Sequence, residues 1–127
     1  MLGIYIAVGA VIGALLRWQL ALTMNAIFPT SPLGTLLVNI LGGFLIGIFM
    51  GVTKDQIYIS EPVRLMIVTG FLGSLTTFST FSAETLNLIM HEQYFWSGVM
   101  VSGHVLGSLA ATFIGMYFVR FFGFVWS

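Results

Sequence analysis

The stretch Thr69-Gly70-Phe71-Leu72-Gly73-Ser74-Leu75-Thr76-Thr77-Phe78-Ser79-Thr80-Phe81-Ser82-Ala83-Glu84 decides how this chain is read. It lies within an apolar segment long enough to be one helix. Yet Gly70, Gly73, Ser74, Thr76 and Thr77 are a poor interior for a continuous helix. We expect an unwound break around residues 73–77. Non-helical backbone at membrane depth survives only when it is buried in protein or lines a cavity. Its freed carbonyls then need partners, and a small dehydrated cation is a natural one. After the break, Phe78 and Phe81 share a helix face, Ser79 and Ser82 share another, and so do Thr77 and Thr80. Two phenylalanines at this spacing are ordinary packing residues in most helices. Their ring edges are weakly positive, however. Together with hydroxyl and amide donors they could surround an anion without any full positive charge.

The remainder of the sequence places this segment in a bilayer. Of 127 residues, 58% are hydrophobic and 6% charged, with mean hydropathy +1.06. Soluble domains carry roughly 25% charged residues, so too few charges are present to wet a globular surface. At ~20 apolar residues per spanning helix, the length allows about four spans and no separate soluble domain. A net charge of zero leaves no basic footprint for nucleic acid. Without cysteine there is no disulfide, thiolate nucleophile or Cys metal site. No Lys or Arg precedes Arg17, so the first apolar stretch does not read as a cleavable signal peptide.

The expected architecture is all-α, a single four-helix transmembrane domain over residues 1–127, with spans at about residues 2–22, 33–52, 62–90 and 95–124. Pro29 and Pro32 stop the first helix within a break running from Asn25. Thr53 to Glu61 is the one clearly polar loop, with Lys54 and Asp55, and Pro62 opens the third span. His91 to Tyr94 links the third span to the fourth. Trp18, Trp96 and Trp126 lie near span ends, where indoles favour the interface. Both termini then share a side with Lys54, Arg64 and Arg120, opposite Arg17. This is a weak positive-inside bias that also permits insertion in both orientations. The two halves show no repeat, and four glycine-rich helices enclose no wide pore, so an oligomer is expected.

Gly43, Gly47 and Gly51 recur every four residues, as do Gly103, Gly107, Ala111 and Gly115, with Gly9 and Gly13 a shorter version. Small residues at this spacing let helix backbones approach closely in lipid. They indicate a tight bundle and nothing about a substrate. Polar residues say more, because an unpaired polar group in hydrocarbon costs several kcal/mol. Thr35 and Asn39 lie on one face of the second span. His104, Ser108 and Thr112, extended by Met100, lie on one face of the fourth. Two readings stay open: these groups bond only to neighbouring helices, or they line a path. Arg17 reads first as an interfacial arginine that caps a helix or pairs locally, with a secondary role in drawing anions to a vestibule.

Gly70 to Glu84, GFLGSLTTFSTFSAE, resembles the signature of the Fluc (CrcB-type) fluoride channels. Pro32 to Asn39, PLGTLLVN, resembles that family's second-helix motif, and Gly13 to Trp18, including Arg17, its first. The resemblance runs through nearly the whole chain in order. It implies an antiparallel, dual-topology homodimer in the bacterial cytoplasmic membrane, with two ion pathways. On that resemblance Asn39 lines a pore and Phe78 and Phe81 turn their edges to fluoride. Ser108 and Thr112 form a polar track with Thr35 beside it, and His104 and Met100 sit at further track positions. Gly73 and Thr76 match positions whose backbone carbonyls hold a structural sodium ion at the dimer interface, which is not the transported species.

The implied activity is passive fluoride export, which relieves fluoride toxicity. A small proton-coupled multidrug exporter is a rival reading. It needs a membrane-embedded carboxylate, and Glu84 is the only one inside an expected span. Glu84 also reads as a helix-end carboxylate pairing with hydroxyls or Arg17. A non-conducting scaffold fits the glycine stripes equally well but not the broken third span. Catalysis has little support. His104 and Ser108 stand one turn apart with no acid or oxyanion site evident, and His91 and Glu92 make no metal ligand set.

Overall fold

Four helical spans long and apolar enough to cross a membrane follow one another in a computed structural model. It describes residues 1–27, 33–54 and 58–126, with residues 124–126 described by backbone only. The chain is that of a multi-pass membrane protein. Helix α1 is Leu2–Ile27 and α2 is Leu33–Lys54. The third span comprises α3, Glu61–Arg64, a π-helical segment, Leu65–Leu72, α4, Gly73–Leu75, and α5, Phe78–Met90. Helix α6 is Tyr94–Trp126. Pro29, Pro32, Asp55 and the Trp126 side chain lie outside the described residues.

Helix α1 runs past residue 22, so Asn25 is helical and does not begin the connection. Its last turns include Leu20, Ala21, Leu22, Met24 and Ala26, all good helix formers. Thr23 returns its hydroxyl to the Gln19 carbonyl at 3.0 Å, which satisfies it within the helix. Helix α2 likewise continues through Thr53, which bonds the Phe49 carbonyl at 2.9 Å, to Lys54. A lysine in the last turn complements the negative end of the helix dipole.

The non-helical part of the third span falls within the expected residues 73–77 but is shorter. Gly73, Ser74 and Leu75 are helical, and only Thr76 (ψ 155°) and Thr77 (φ −149°, ψ 121°) are extended. Upstream, the chain is wound as a π-helix, whose wider turn sets the Gly73 N–H on the carbonyls of Val68 and Gly70. The reason is packing against α1. Leu75 is wholly buried. A side chain at Gly13 would collide with the Phe71 carbonyl and the Ser74 hydroxyl, and one at Gly9 would lie 2.9 Å from the Phe71 amide. Close seating on α1 keeps residues 73–75 helical, and the chain opens one turn later.

A second close contact joins α2 to α6, the most extensive pairing in the bundle. Gly47 faces the Thr112 backbone, Gly43 the Ser108 carbonyl, and Gly115 answers against the Phe44 carbonyl. Gly103 and Gly107, by contrast, meet the side chains of Leu36 and Ile40. Small residues thus serve the backbone approach that lipid solvent favours. The core is thin: Val38, Leu72, Leu75, Phe81, Met100 and Ala111 are its buried apolar residues. Large apolar side chains such as Ile4, Leu15, Leu106 and Phe113 are exposed, as a surface solvated by hydrocarbon requires.

Helix α5 ends in two turns that satisfy its carbonyls. The Gln93 N–H reaches the Leu88 carbonyl at 2.8 Å and the Glu92 N–H reaches Ile89 at 3.0 Å. This is a Schellman arrangement, and it puts Glu92 at φ 58°, in the left-handed region.

Candidate functional site

Breaking a helix strands its backbone groups, and each must find a partner when buried. At the Thr76–Thr77 interruption the partners are side chains from α1 and α2 or from the segment itself. Arg17 of α1 donates from Nε to the Ser74 carbonyl at 3.0 Å. Its cationic donor therefore caps the upstream half. Thr77 caps the downstream half: its hydroxyl accepts from the Thr80 N–H at 3.3 Å. Thr76 returns its own hydroxyl to the Leu72 carbonyl at 2.9 Å.

Asn39 of α2 clasps the extended residue from the side. Its Oδ1 accepts the Thr77 N–H at 2.8 Å, and its Nδ2 donates to the Thr77 carbonyl at 3.0 Å. The same Nδ2 lies 3.0 Å from Nδ1 of His104 on α6. His104 is buried, and its ring stacks on Phe81 at 4.3 Å between centroids, tilted by 35°. Phe81 in turn takes the edge of Phe78 at 5.5 Å and 72°. Phe81 is buried and Phe78 is 77% exposed, so the pair spans from core to open face.

These groups line one cavity of about 450 Å³, together with Ser108, Gly42 and the residues of the interruption. Among the described residues its walls carry hydroxyl, amide, imidazole and phenyl groups and no formally charged side chain. Of the expected residues, Asn39, Gly73, Thr76, Phe78, Phe81, His104 and Ser108 are brought together here. Thr112 lies a turn away. Its hydroxyl donates to the Ser108 carbonyl at 2.9 Å and sits beside Gly43. Thr35 is buried one turn before Asn39 and donates to Glu84 Oε1 at 2.7 Å. Met100 is buried in the core, one turn before His104.

Two carbonyls at the interruption lose their helical donors. In an unbroken helix Gly73 would accept from the Thr77 N–H and Thr76 from the Thr80 N–H. Those amides are turned to Asn39 Oδ1 and Thr77 Oγ1 instead. Gly73 and Thr76 are thus the residues whose carbonyls the interruption deprives of their helical partners.

The family model described as CrcB-like protein, Camphor Resistance (CrcB), matches residues 4–116 of this chain. The chain belongs to that family. It is 47% identical over 115 residues to a protein of Nitrosospira multiformis named fluoride-specific ion channel FluC, covering 91% of this chain and 90% of the relative. A protein of the same name from Pseudomonas syringae pv. maculicola is 47% identical over 118 residues, 93% of each chain. One from Tolumonas auensis is 49% identical over 111 residues, 87% of each.

Within this member of the CrcB family, two pairings were not legible in the sequence. Thr77 falls in the expected break and shares a face with Thr80, but that Asn39 grips its backbone is seen only in the structure. Glu84 pairs with a hydroxyl, as one of its expected readings has it. The sequence does not reveal that Thr35 on α2 is the donor. The signal available was the polar step from Thr35 to Asn39 on α2. It meets Glu84 and Thr77 on the third span in antiparallel order.

Proposed function

We propose that this chain forms an antiparallel homodimer that conducts fluoride passively across the bacterial cytoplasmic membrane. The observation that carries the proposal is the uncharged cavity, lined by the Asn39 amide, the Ser108 hydroxyl and the rings of Phe78 and Phe81. It occurs in a family member whose relatives are named fluoride-specific ion channels. Fluoride is small and strongly hydrated, so a pore must replace its water with donors. A full positive charge would hold the ion, and conduction requires each binding step to be weak enough to release it. Neutral donors and ring edges meet both demands. Larger halides form longer, weaker hydrogen bonds and fit a narrow site less well.

The dimer closes what one copy leaves open. The cavity is a groove on the face of a single chain, with Phe78 at its exposed edge. A second copy inserted in the opposite orientation covers it, which places the interruption at mid-membrane and gives two equivalent pathways. The Gly73 and Thr76 carbonyls of each copy then hold a structural sodium ion between the subunits, since their helical donors are diverted. The ion supplies a fixed positive charge that ties the two interruptions together. Direction comes from the membrane potential, worth ~2.3 kcal/mol per charge at 100 mV. An interior negative potential drives an anion outward without a pump.

Growth of a fluoride-sensitive bacterial strain tests the reading. Expression of this chain is expected to restore growth on sodium fluoride and to give no protection against quaternary ammonium compounds. Protection against the ammonium compounds without fluoride rescue overturns the proposal and favours a cation exporter working through Glu84.

A further inference from the structure

The hydrogen bonds joining Thr77, Asn39 and His104 have a polarity that can be assigned from heavy atoms alone. A backbone N–H only donates, so the Asn39 atom 2.8 Å from the Thr77 nitrogen is Oδ1. That fixes the amide. Its Nδ2 sends one hydrogen to the Thr77 carbonyl and the other to His104 Nδ1, each at 3.0 Å. An amide nitrogen does not accept, so Nδ1 presents a lone pair. A neutral imidazole with a lone pair on Nδ1 carries its proton on Nε2. An imidazolium would set N–H against N–H and break the chain of bonds.

Nε2 is therefore a donor, and it is buried, with under 1 Å² accessible and no partner among the described residues. The residue as a whole is 5% exposed. A buried donor left unpaired is destabilising, and native structures rarely tolerate one without a role or an acceptor. The ring belongs to the wall of the cavity that holds Asn39, Phe81 and Ser108. It is also braced on both sides, by Asn39 at Nδ1 and by Phe81 against its face.

We propose that His104 is a neutral anion donor of the pathway, locked as the Nε2–H tautomer by Asn39, with that N–H directed to the fluoride ion. This rests on the fluoride-channel reading and assigns a specificity role within it. Asn39 then acts on the anion partly through the imidazole. It anchors the extended Thr77 backbone on one side and sets the tautomer of a donor on the other. A short N–H to fluoride bond favours the smallest halide, and a neutral ring does not trap it.

The test is nitrogen-15 NMR of histidine-labelled protein in lipid, in a His91→Gln background so that only His104 reports. Nδ1 is expected in the unprotonated range and Nε2 in the protonated range. Sodium fluoride is expected to shift Nε2, and sodium chloride to leave it in place. A protonated Nδ1, or an Nε2 indifferent to fluoride, overturns the proposal.

Fluoride efflux from proteoliposomes supplies the second arm. His104→Gln keeps an acceptor toward Asn39 and a donor beyond it, and is expected to retain flux within about threefold. His104→Phe keeps the stack on Phe81 but removes both nitrogens, and is expected to lose at least about tenfold. Unchanged flux in His104→Phe overturns the assignment while leaving the channel reading standing. Absence of flux in the unsubstituted protein sinks the channel reading itself. Should the phenylalanine variant fail to fold, the tautomer measurement decides alone.

Discussion

At the scale of single residues, one side chain does two jobs that the sequence shows only as one. Asn39 is visible as an amide in an apolar helix, and a polar group in hydrocarbon demands a partner. Which partners it takes could not be read, because Thr77 and His104 lie 38 and 65 positions away. Contacts at that separation depend on how the helices are seated. Asn39→Asp separates the roles. The carboxylate still accepts the Thr77 N–H but cannot donate to the Thr77 carbonyl, and it places a negative charge on the pathway. Fluoride efflux from proteoliposomes should fall at least about tenfold, with Nδ1 of His104 becoming protonated. Unchanged flux would contradict the placement of Asn39. Arg17 makes a simpler contact, from Nε to the Ser74 carbonyl.

At the scale of elements, helix ends and helix contacts follow from local chemistry, and the sequence read them unevenly. The glycine repeats of α2 correctly signalled backbone contact, and α6 is the partner. Gly47→Val should separate α2 from α6, because a side chain there collides with the Thr112 backbone. Overpacking of this kind costs typically 1–3 kcal/mol, seen as a lower melting temperature in detergent and loss of folded protein; an unchanged melting temperature would refute the contact. The third span was harder. Its glycine, serine and threonine content indicated a departure from the α-helix but not its form. Seating on α1 turned part of that departure into a π-helix and left two residues extended. The end of α5 offers a gain rather than a loss. Glu92 holds a left-handed conformation that costs a side-chain-bearing residue roughly 1–2 kcal/mol and costs glycine little. Glu92→Gly should raise the melting temperature, and a fall would show that the Glu92 side chain contributes more than its backbone strain removes.

At the scale of the whole molecule, composition alone fixed the solvent and the number of spans. It did so because hydrocarbon excludes charge and sets helix length together. How a groove on one chain would become a pathway was not legible there, since in the proposed dimer closure belongs to a pair of chains. The absence of cysteine makes the pairing testable. Tyr58, in the polar stretch from Thr53 to Glu61, is 88% exposed. In Tyr58→Cys, an impermeant maleimide applied to either face of the membrane should label about half of the protein each time. Labelling from one face alone would exclude antiparallel pairing.

The most direct measurement is release of anions from liposomes that hold the purified, unsubstituted protein, read with a fluoride electrode under an imposed potential. The account predicts rapid fluoride release while chloride stays inside. Fluoride retained as in protein-free liposomes, or chloride released at the same rate, would contradict it.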